Sequence, residues 1–257
     1  MQNLINNISL GDCFDLMQQI EDKSIDMILC DLPYMVTKID WDKNFNLDLL
    51  WIEYKRIIKD NGAIILTSSS EFTFKLYNSN PQMYRYKWIW IKSKPSRFLS
   101  TKSLPLATTE DIMVFYKKLP TYNPQMRKGF NPYIRHRSER ENLSKLFGNT
   151  KHRETTSSSS DGSRYPIDLL RFTSVNNQYL LHPTQKPVEL FEYMIKTYSN
   201  ENEIILDNCS GSGTTAIACL KTNRRYICME KDETYHEKSV NRVNAFKQKL
   251  EQGCENE

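Results

Sequence analysis

Two short runs of residues in this sequence have the types and spacing to do chemistry. The first is Asp31-Leu32-Pro33-Tyr34, directly after the apolar run Ile25–Cys30. An amine attached to an aromatic ring is a poor nucleophile because its lone pair is delocalised into the ring. A carboxylate and a backbone carbonyl that accept its two N–H hydrogens localise that pair and stabilise the positive charge that develops on nitrogen. Asp31 supplies such a carboxylate and Leu32 the carbonyl. Pro33 stiffens the loop, and Tyr34 offers a face for a ring to stack on. Four residues taken alone fit a surface turn equally well.

The second run is Ile204-Ile205-Leu206-Asp207-Asn208-Cys209-Ser210-Gly211-Ser212-Gly213-Thr214-Thr215. An apolar strand, a Gly-x-Gly turn and a helix start gather backbone N–H groups around a small ligand. Glu230 stands 23 residues beyond Asp207, at the end of the next strand-like run, where a carboxylate can bind ribose hydroxyls. The third glycine of a dinucleotide fingerprint is missing, and no Gly-Lys-Ser/Thr of a P-loop is present. A nucleoside lacking a pyrophosphate is therefore the better-fitting ligand, and a positively charged one would favour a nearby acid such as Asp207. A tight strand–helix turn with no ligand is the plainer alternative.

The elements that must position these groups alternate in type. Asn6–Leu10 reads as a short strand, Phe14–Ile20 has helical spacing, and Ile25–Cys30 reads as a buried strand. A helix is expected over about Leu47–Ile58 and a strand over Ala63–Thr67. Two further strands, Tyr86–Ile91 and Asp111–Tyr116, flank a polar loop with Lys92, Lys94, Arg97 and Lys102. From Pro187 the alternation resumes: a helix over Val188–Tyr198, a strand over Glu203–Asp207 and a helix over Thr214–Leu220. A strand over Arg225–Met229 and a charged helix over Glu233–Leu250 follow. Strand and helix in alternation predict a parallel α/β sheet.

Between these halves the composition changes. Residues 126–164 carry nine Lys/Arg and four Asp/Glu, an excess of five positive charges, whereas the whole chain of 257 residues nets only +4. The basic character is local, as expected of a nucleic-acid contact, although a solvated loop would also accommodate it. The six cysteines (13, 30, 209, 219, 228 and 254) include no CxxC pair, and no His pair has ligand spacing, so no zinc site is expected. Scattered thiols, no signal-peptide pattern at the start and no long apolar run suggest a cytoplasmic protein.

Taken together, the two motifs resemble those of the DNA amino-methyltransferases that use S-adenosylmethionine. The order of catalytic Asp-x-Pro-Tyr, a middle region and then the glycine turn resembles the permuted β group of that family. A third match is His182-Pro183-Thr184-Gln185-Lys186-Pro187, a segment that in the family closes over the cofactor. Gly11-Asp12-Cys13 resembles the family's acidic contact to the cofactor's adenine. The chain departs from the family at Leu32, where proline is usual, and at Asp207-Asn208-Cys209, where Asp-Pro-Phe is common.

The resemblance implies a Rossmann-like methyltransferase fold of class α/β: a mixed, mostly parallel sheet with helices on both faces and an inserted target-recognition region. It divides the chain into a catalytic part (1–122), a DNA target-recognition insertion (123–180) and a cofactor-binding part (181–257). It implies adenine N6 methylation by base flipping and direct transfer, since Asp at position 31 goes mostly with adenine and Ser with cytosine N4. Catalysis falls to Asp31, Leu32, Pro33 and Tyr34. With the glycine-turn reading, the expected cofactor contacts are Asp12, Asp31, His182, Thr184, Gln185, Lys186, Asp207, Asn208, Cys209, Ser210, Gly211, Gly213, Thr214 and Glu230. Double-stranded DNA is the expected partner, through Arg127, Lys128, Arg135, Arg137 and Arg140; a homodimer and a cognate restriction endonuclease are further candidates. Cytosine C5 chemistry would need a Pro-Cys nucleophile, and Cys30 has no proline before it, so it is read as a small core residue. RNA and protein-glutamine methyltransferases share the x-Pro-Pro-Tyr type of loop but place the cofactor loop first, whereas here Asp31 precedes Gly211 by 180 residues.

Overall fold

Along the strand Ile25–Cys30 (β2), successive side chains enter opposite cores. Met27 and Leu29 belong to one buried cluster, Ile28 and Cys30 to the other, as the two-residue repeat of a strand requires. A strand buried on both faces belongs inside a sheet covered by helices on both sides. The computed structural model describes residues 1–34, 45–136, 157–176, 181–182 and 184–253. Eight strands form its main sheet.

Before β2 come β1 (Asn7–Leu10) and the short helix α1 (Cys13–Met17). After it come α2 (Leu47–Ile57), β3 (Ile58–Ser68), α3 (Ser70–Ser79), β4 (Tyr84–Ser96) and β5 (Ala107–Phe115). Beyond two short strands, β6 (Tyr133–His136) and β7 (Ser157–Ser160), the chain continues as β8 (Leu169–Phe172), α4 (Val188–Tyr198) and β9 (Ile204–Asp207). It closes with α5 (Thr214–Lys221), β10 (Arg225–Glu230) and α6 (Glu233–Glu251). The sheet order is β1-β10-β9-β2-β3-β5-β4-β8. Every neighbouring pair is parallel except the two made by β5.

Helices α1–α3 cover one face: Met17, Leu50, Trp51, Tyr54, Phe72 and Leu76 pack on Ile28, Leu66 and Leu206. Helices α4–α6 cover the other, with Phe191, Met194, Ala216 and Val243 against Leu29, Ile65 and Ile205. This is the mixed, mostly parallel sheet with helices on both faces that the sequence suggests. Within it, the β2–β9 pair is a seam between the N-terminal and C-terminal parts of the chain. Asp26 locks that seam, taking Lys59 Nζ on Oδ1 at 2.5 Å and the Ile204 N–H on Oδ2 at 2.9 Å.

The chain divides into two units, Met1–Asn123 with Asp168–Glu257, and Pro124–Ile167. β8 falls within the segment 123–180, yet it pairs with β4 and belongs to the first unit. The smaller unit pairs β6 with β7 and bridges Arg127 to Arg164. Helix α3 and the length of β4 and β5 go beyond the sequence reading. The β4–β5 ladder carries strand geometry through polar residues such as Lys92 and Glu110 that no hydrophobic alternation marks.

Candidate active site

Four parallel strands end at one edge of the sheet, and each delivers one piece of the site. β1 ends at Gly11-Asp12, β2 at Asp31, β9 at Asp207 and β10 at Glu230. Carboxyl ends of parallel strands are where open α/β sheets form their binding crevices. Here they surround a cavity of about 240 Å³.

Asp31 is held on three sides. Its Oδ1 accepts from the Tyr34 hydroxyl at 3.0 Å and from the Thr67 hydroxyl at the end of β3. Its Oδ2 accepts from Lys186 Nζ at 2.6 Å. The Lys186 side chain is only 6% exposed, and its ammonium also lies 3.5 Å from Glu110 Oε2. Glu110 in turn pairs with Lys92 at 3.1 Å. A chain of alternating charge, Lys92–Glu110–Lys186–Asp31, therefore runs from β4 and β5 to the loop after β2. Burial works against the Lys186 charge, but Asp31 and Glu110 outweigh it and hold the ammonium's pKa above that of an ordinary lysine.

Tyr34 stacks on Phe72 with ring centroids 5.1 Å apart, and Lys186 Nζ sits 5.5 Å from its ring centre. Burial and the neighbouring carboxylates raise the pKa of its phenol, so the hydroxyl stays a donor to Asp31. Leu32 is buried in the core under α1–α3, which gives a physical reason for leucine at that position. Cys30 is fully buried and its thiol is pushed up to about 12, chiefly by burial.

The glycine turn forms the opposite wall. Asp207 is buried: its carboxylate takes the Cys209 N–H at 3.1 Å and the Thr215 hydroxyl. Burial pushes its pKa up to about 6, against the pull of those donors. Asn208 is anchored by a hydrogen bond from the buried Tyr54 hydroxyl. Gly211 has φ 50 and donates its N–H to Glu230 Oε2 at 2.8 Å, while Glu230 Oε1 takes the Asp232 N–H at 2.9 Å. Burial raises the Glu230 pKa and those donors only partly offset it. Asp12 caps α1 through the Phe14 N–H and pairs with Lys231 at 2.9 Å. His182 packs edge-on against Tyr235 at 4.3 Å, and the Thr184 hydroxyl bonds its Nδ1. Burial keeps the His182 imidazole below its ordinary pKa.

All the expected catalytic residues line the cavity, and all the expected cofactor contacts except Gly213 do so. Gly213 starts α5 with φ 74, where a Cβ would come within 3.3 Å of Ser239 and Val243 on α6. Its place is a close helix crossing. The sequence reading missed several wall residues. Phe14 on α1, Phe191 on α4, Tyr235 on α6 and Phe45 supply aromatic surface to a cavity whose turn carries Asn208-Cys209. Thr67 and Glu110, which hold Asp31 and Lys186, lie in strands with no motif around them. A polar residue close to the end of an apolar strand is the only signal that could have flagged them.

In the smaller unit, Arg127 lies over Phe130 at 5.0 Å and donates Nε to the Tyr165 carbonyl. Lys128 is exposed. The Arg135 side chain, Arg137 and Arg140 lie outside the described residues.

The DNA methylase model of the N6/N4 methyltransferases matches residues 25–241, and the chain belongs to that family. It is 28% identical to the type II methyltransferase M2.MboI of Moraxella bovis, over 95% of this chain and 92% of that protein. It is also 28% identical to M1.MboII of Moraxella bovis, covering 96% and 98% of the two chains. Among solved structures, the M1.HpyAVI–SAM complex shares the fold with a TM-score of 0.63 at 22% identity, covering 93% of this chain and 98% of that one. The PvuII cytosine-N4-specific DNA methyltransferase does so with a TM-score of 0.64 at 14% identity, over 96% and 93%. Among the described residues no helix is long and apolar enough to cross a membrane.

Proposed function

We propose that this DNA methyltransferase transfers a methyl group from S-adenosylmethionine to adenine N6 in double-stranded DNA, on a base flipped out of the duplex. The observation that carries the reading is the Asp31 carboxylate, oriented by Lys186, Tyr34 and Thr67 at the wall of the cavity. A carboxylate has roughly four acceptor positions. Tyr34 and Thr67 occupy both on Oδ1 and Lys186 takes one on Oδ2, which leaves one on Oδ2 for an incoming N–H. The Leu32 carbonyl takes the second N–H of the amine. Both hydrogen bonds strengthen as positive charge develops on nitrogen. Lys186 Nζ, 2.6 Å from Oδ2, orients the carboxylate for that purpose, and the cationic methylated amine sheds its proton after transfer. Pro33 shapes the loop, and the Tyr34 ring, backed by Phe72, is the stacking surface for the base.

The cavity suits the methyl donor. Ser210 Oγ is buried on its wall with no hydrogen-bond partner among the described residues, and such a group calls for a ligand atom. Glu230 keeps acceptor positions for ribose hydroxyls beyond its two backbone partners. Asp207, costly to ionise in a dry site, is favoured by a cationic ligand. Asp12, His182, Thr184, Gln185 and the aromatic walls complete the enclosure. When bound, S-adenosylmethionine supplies an electrophilic methyl group for direct displacement by the amine.

The basic segment 126–164 is the proposed DNA contact, with Lys128 and the neighbouring cations on phosphates. The relatives' type II names support a place in a restriction–modification pair, and the free thiols suit a cytoplasmic setting. Methylation of mixed-sequence DNA, followed by nucleoside analysis of the digest, tests the reading. N6-methyladenine is expected. N4-methylcytosine would keep the mechanism and reverse the base, and no methylated base would overturn DNA as the substrate.

A further inference from the structure

The hairpin joining β4 to β5 places an apolar tip on a basic stem beside the catalytic aspartate. β5 pairs with β3 so that Ser68 lies opposite Asp111. Residues 107–110 therefore overrun the end of β3, at the same edge of the sheet where Asp31 follows β2. At about 3.4 Å per residue this overhang reaches on the order of 10 Å past the sheet. Its base is tied to the site through Lys92–Glu110–Lys186–Asp31.

Beyond that base, β4 ends at Ser96 and the turn begins at Arg97, held with φ 70 by a hydrogen bond from its guanidinium to Ser70. The Ser100 and Leu104 backbone N–H groups close the turn at 3.0 and 2.9 Å. The tip then presents Phe98, Leu99, Leu104 and Leu106 to water, with Leu99 fully exposed. Residues 92–109 contain Lys92, Lys94, Arg97 and Lys102 and no carboxylate. Four large apolar side chains within nine residues, on a wholly cationic stem, match a polyanion with an apolar interior. Duplex DNA at the step where a base has left the stack is such a surface. The phosphates face the cations, and the unpaired partner base exposes its ring.

Resting on the DNA-methyltransferase reading above, we propose that the Phe98–Leu106 tip is a wedge. It enters the duplex where the target nucleotide leaves, filling the vacated space and stacking on the orphaned partner base. Lys94, Arg97 and Lys102 hold the flanking phosphates. The wedge thus stabilises the flipped state and delivers the base to Asp31 at the hairpin's foot.

The test compares single-turnover transfer on a fully paired duplex with the same duplex carrying an abasic site opposite the target. In the abasic duplex most of the pairing cost is already removed. The double variant F98S/L99S should lose at least about tenfold on the paired duplex and return to within about threefold of the unaltered protein on the abasic one. Leu99→Trp, which keeps an apolar wedge, should retain transfer to the paired duplex, and Leu99→Glu should lose it with the same rescue. Equal loss on both substrates, or no loss on either, would overturn the wedge. So would a dimer of the unaltered protein that F98S/L99S dissociates in sedimentation, because the patch would then cover a second copy of this chain. No transfer by the unaltered protein to any DNA is a separate result, and it removes the reading on which the wedge rests.

Discussion

Replacing Lys186 with methionine tests how far the buried charge chain Lys92–Glu110–Lys186–Asp31 holds the site together. Lys186 is 6% exposed, and Asp31 and Glu110 are 18% and 14% exposed, so water screens the group poorly. At an effective dielectric of about 20, unit charges at the observed 2.6 and 3.5 Å attract by about 6 and 5 kcal/mol. Desolvation of the ammonium offsets much of this. Removing one member of a buried ion pair still costs about 3–5 kcal/mol, because an uncompensated charge is left behind. In Lys186→Met two carboxylates face each other with only Lys92 to balance them, so a loss in that range is expected in urea unfolding at neutral pH. Adding Glu110→Gln removes one of the stranded carboxylates, so the double variant should be more stable than Lys186→Met alone. Because the folded-state pKa of Lys186 is raised, the stabilisation it reports is complete below the ordinary lysine value of about 10.4 and is lost only as pH rises through the higher folded value. The reasoning is refuted if Lys186→Met unfolds within about 0.5 kcal/mol of the unaltered protein. Strict additivity of the two substitutions would refute the coupling.

Asp31→Ala should abolish methyl transfer while leaving donor binding mostly intact; near-normal turnover would remove Asp31 from the chemistry. Asp207 is protonated more readily when folded than when unfolded, so its contribution to the ligand-free protein is full below about pH 4. About 3 kcal/mol of it is lost as pH rises through about 6, a slope that Asp207→Asn should remove in thermal unfolding. For the same reason the affinity for S-adenosylmethionine should rise from about pH 5 to 7 more than the affinity for its neutral thioether product, and equal pH dependence in calorimetry would refute the pairing. Gly213→Ala should cost about 1–3 kcal/mol in urea unfolding. Gly253→Ala, with a similar φ of 72 but nothing within 4 Å, should cost less, and equal losses would remove the packing argument. Tyr54→Phe leaves the Asn208 side-chain oxygen without its buried donor and should destabilise the protein by about 1–3 kcal/mol, seen as a lower melting temperature.

Local patterns in the chain were enough to identify the DNA methyltransferase family. Apolar runs such as Ile25–Cys30 and Ile204–Asp207 carry their burial in their composition. Asp31-Leu32-Pro33-Tyr34 and Ser210-Gly211-Ser212-Gly213 owe their geometry to neighbours in sequence, so both runs and their order along the chain could be read directly. Helix α3 could not, because its Ser70–Ser79 segment is mostly polar and buries only Phe72 and Leu76. The ends of β4 and β5 were hidden for a similar reason, since their charged residues are paired across the hairpin and with Lys186.

What the tertiary structure alone decided is which distant groups share the site. Lys186 lies 155 residues from Asp31 and was expected at the cofactor, yet its ammonium reaches the Asp31 carboxylate because α4, just after Lys186, packs on β2. Thr67 and Glu110 join it because β3 lies beside β2 and β5 beside β3. Gly213 leaves the cavity wall because α6 crosses closely over it, and Leu32 turns inward because the core lies beneath its loop. A sequence motif specifies the backbone and reacting groups over a few residues. The partners that set their charge and orientation come from strand order, which long-range packing determines.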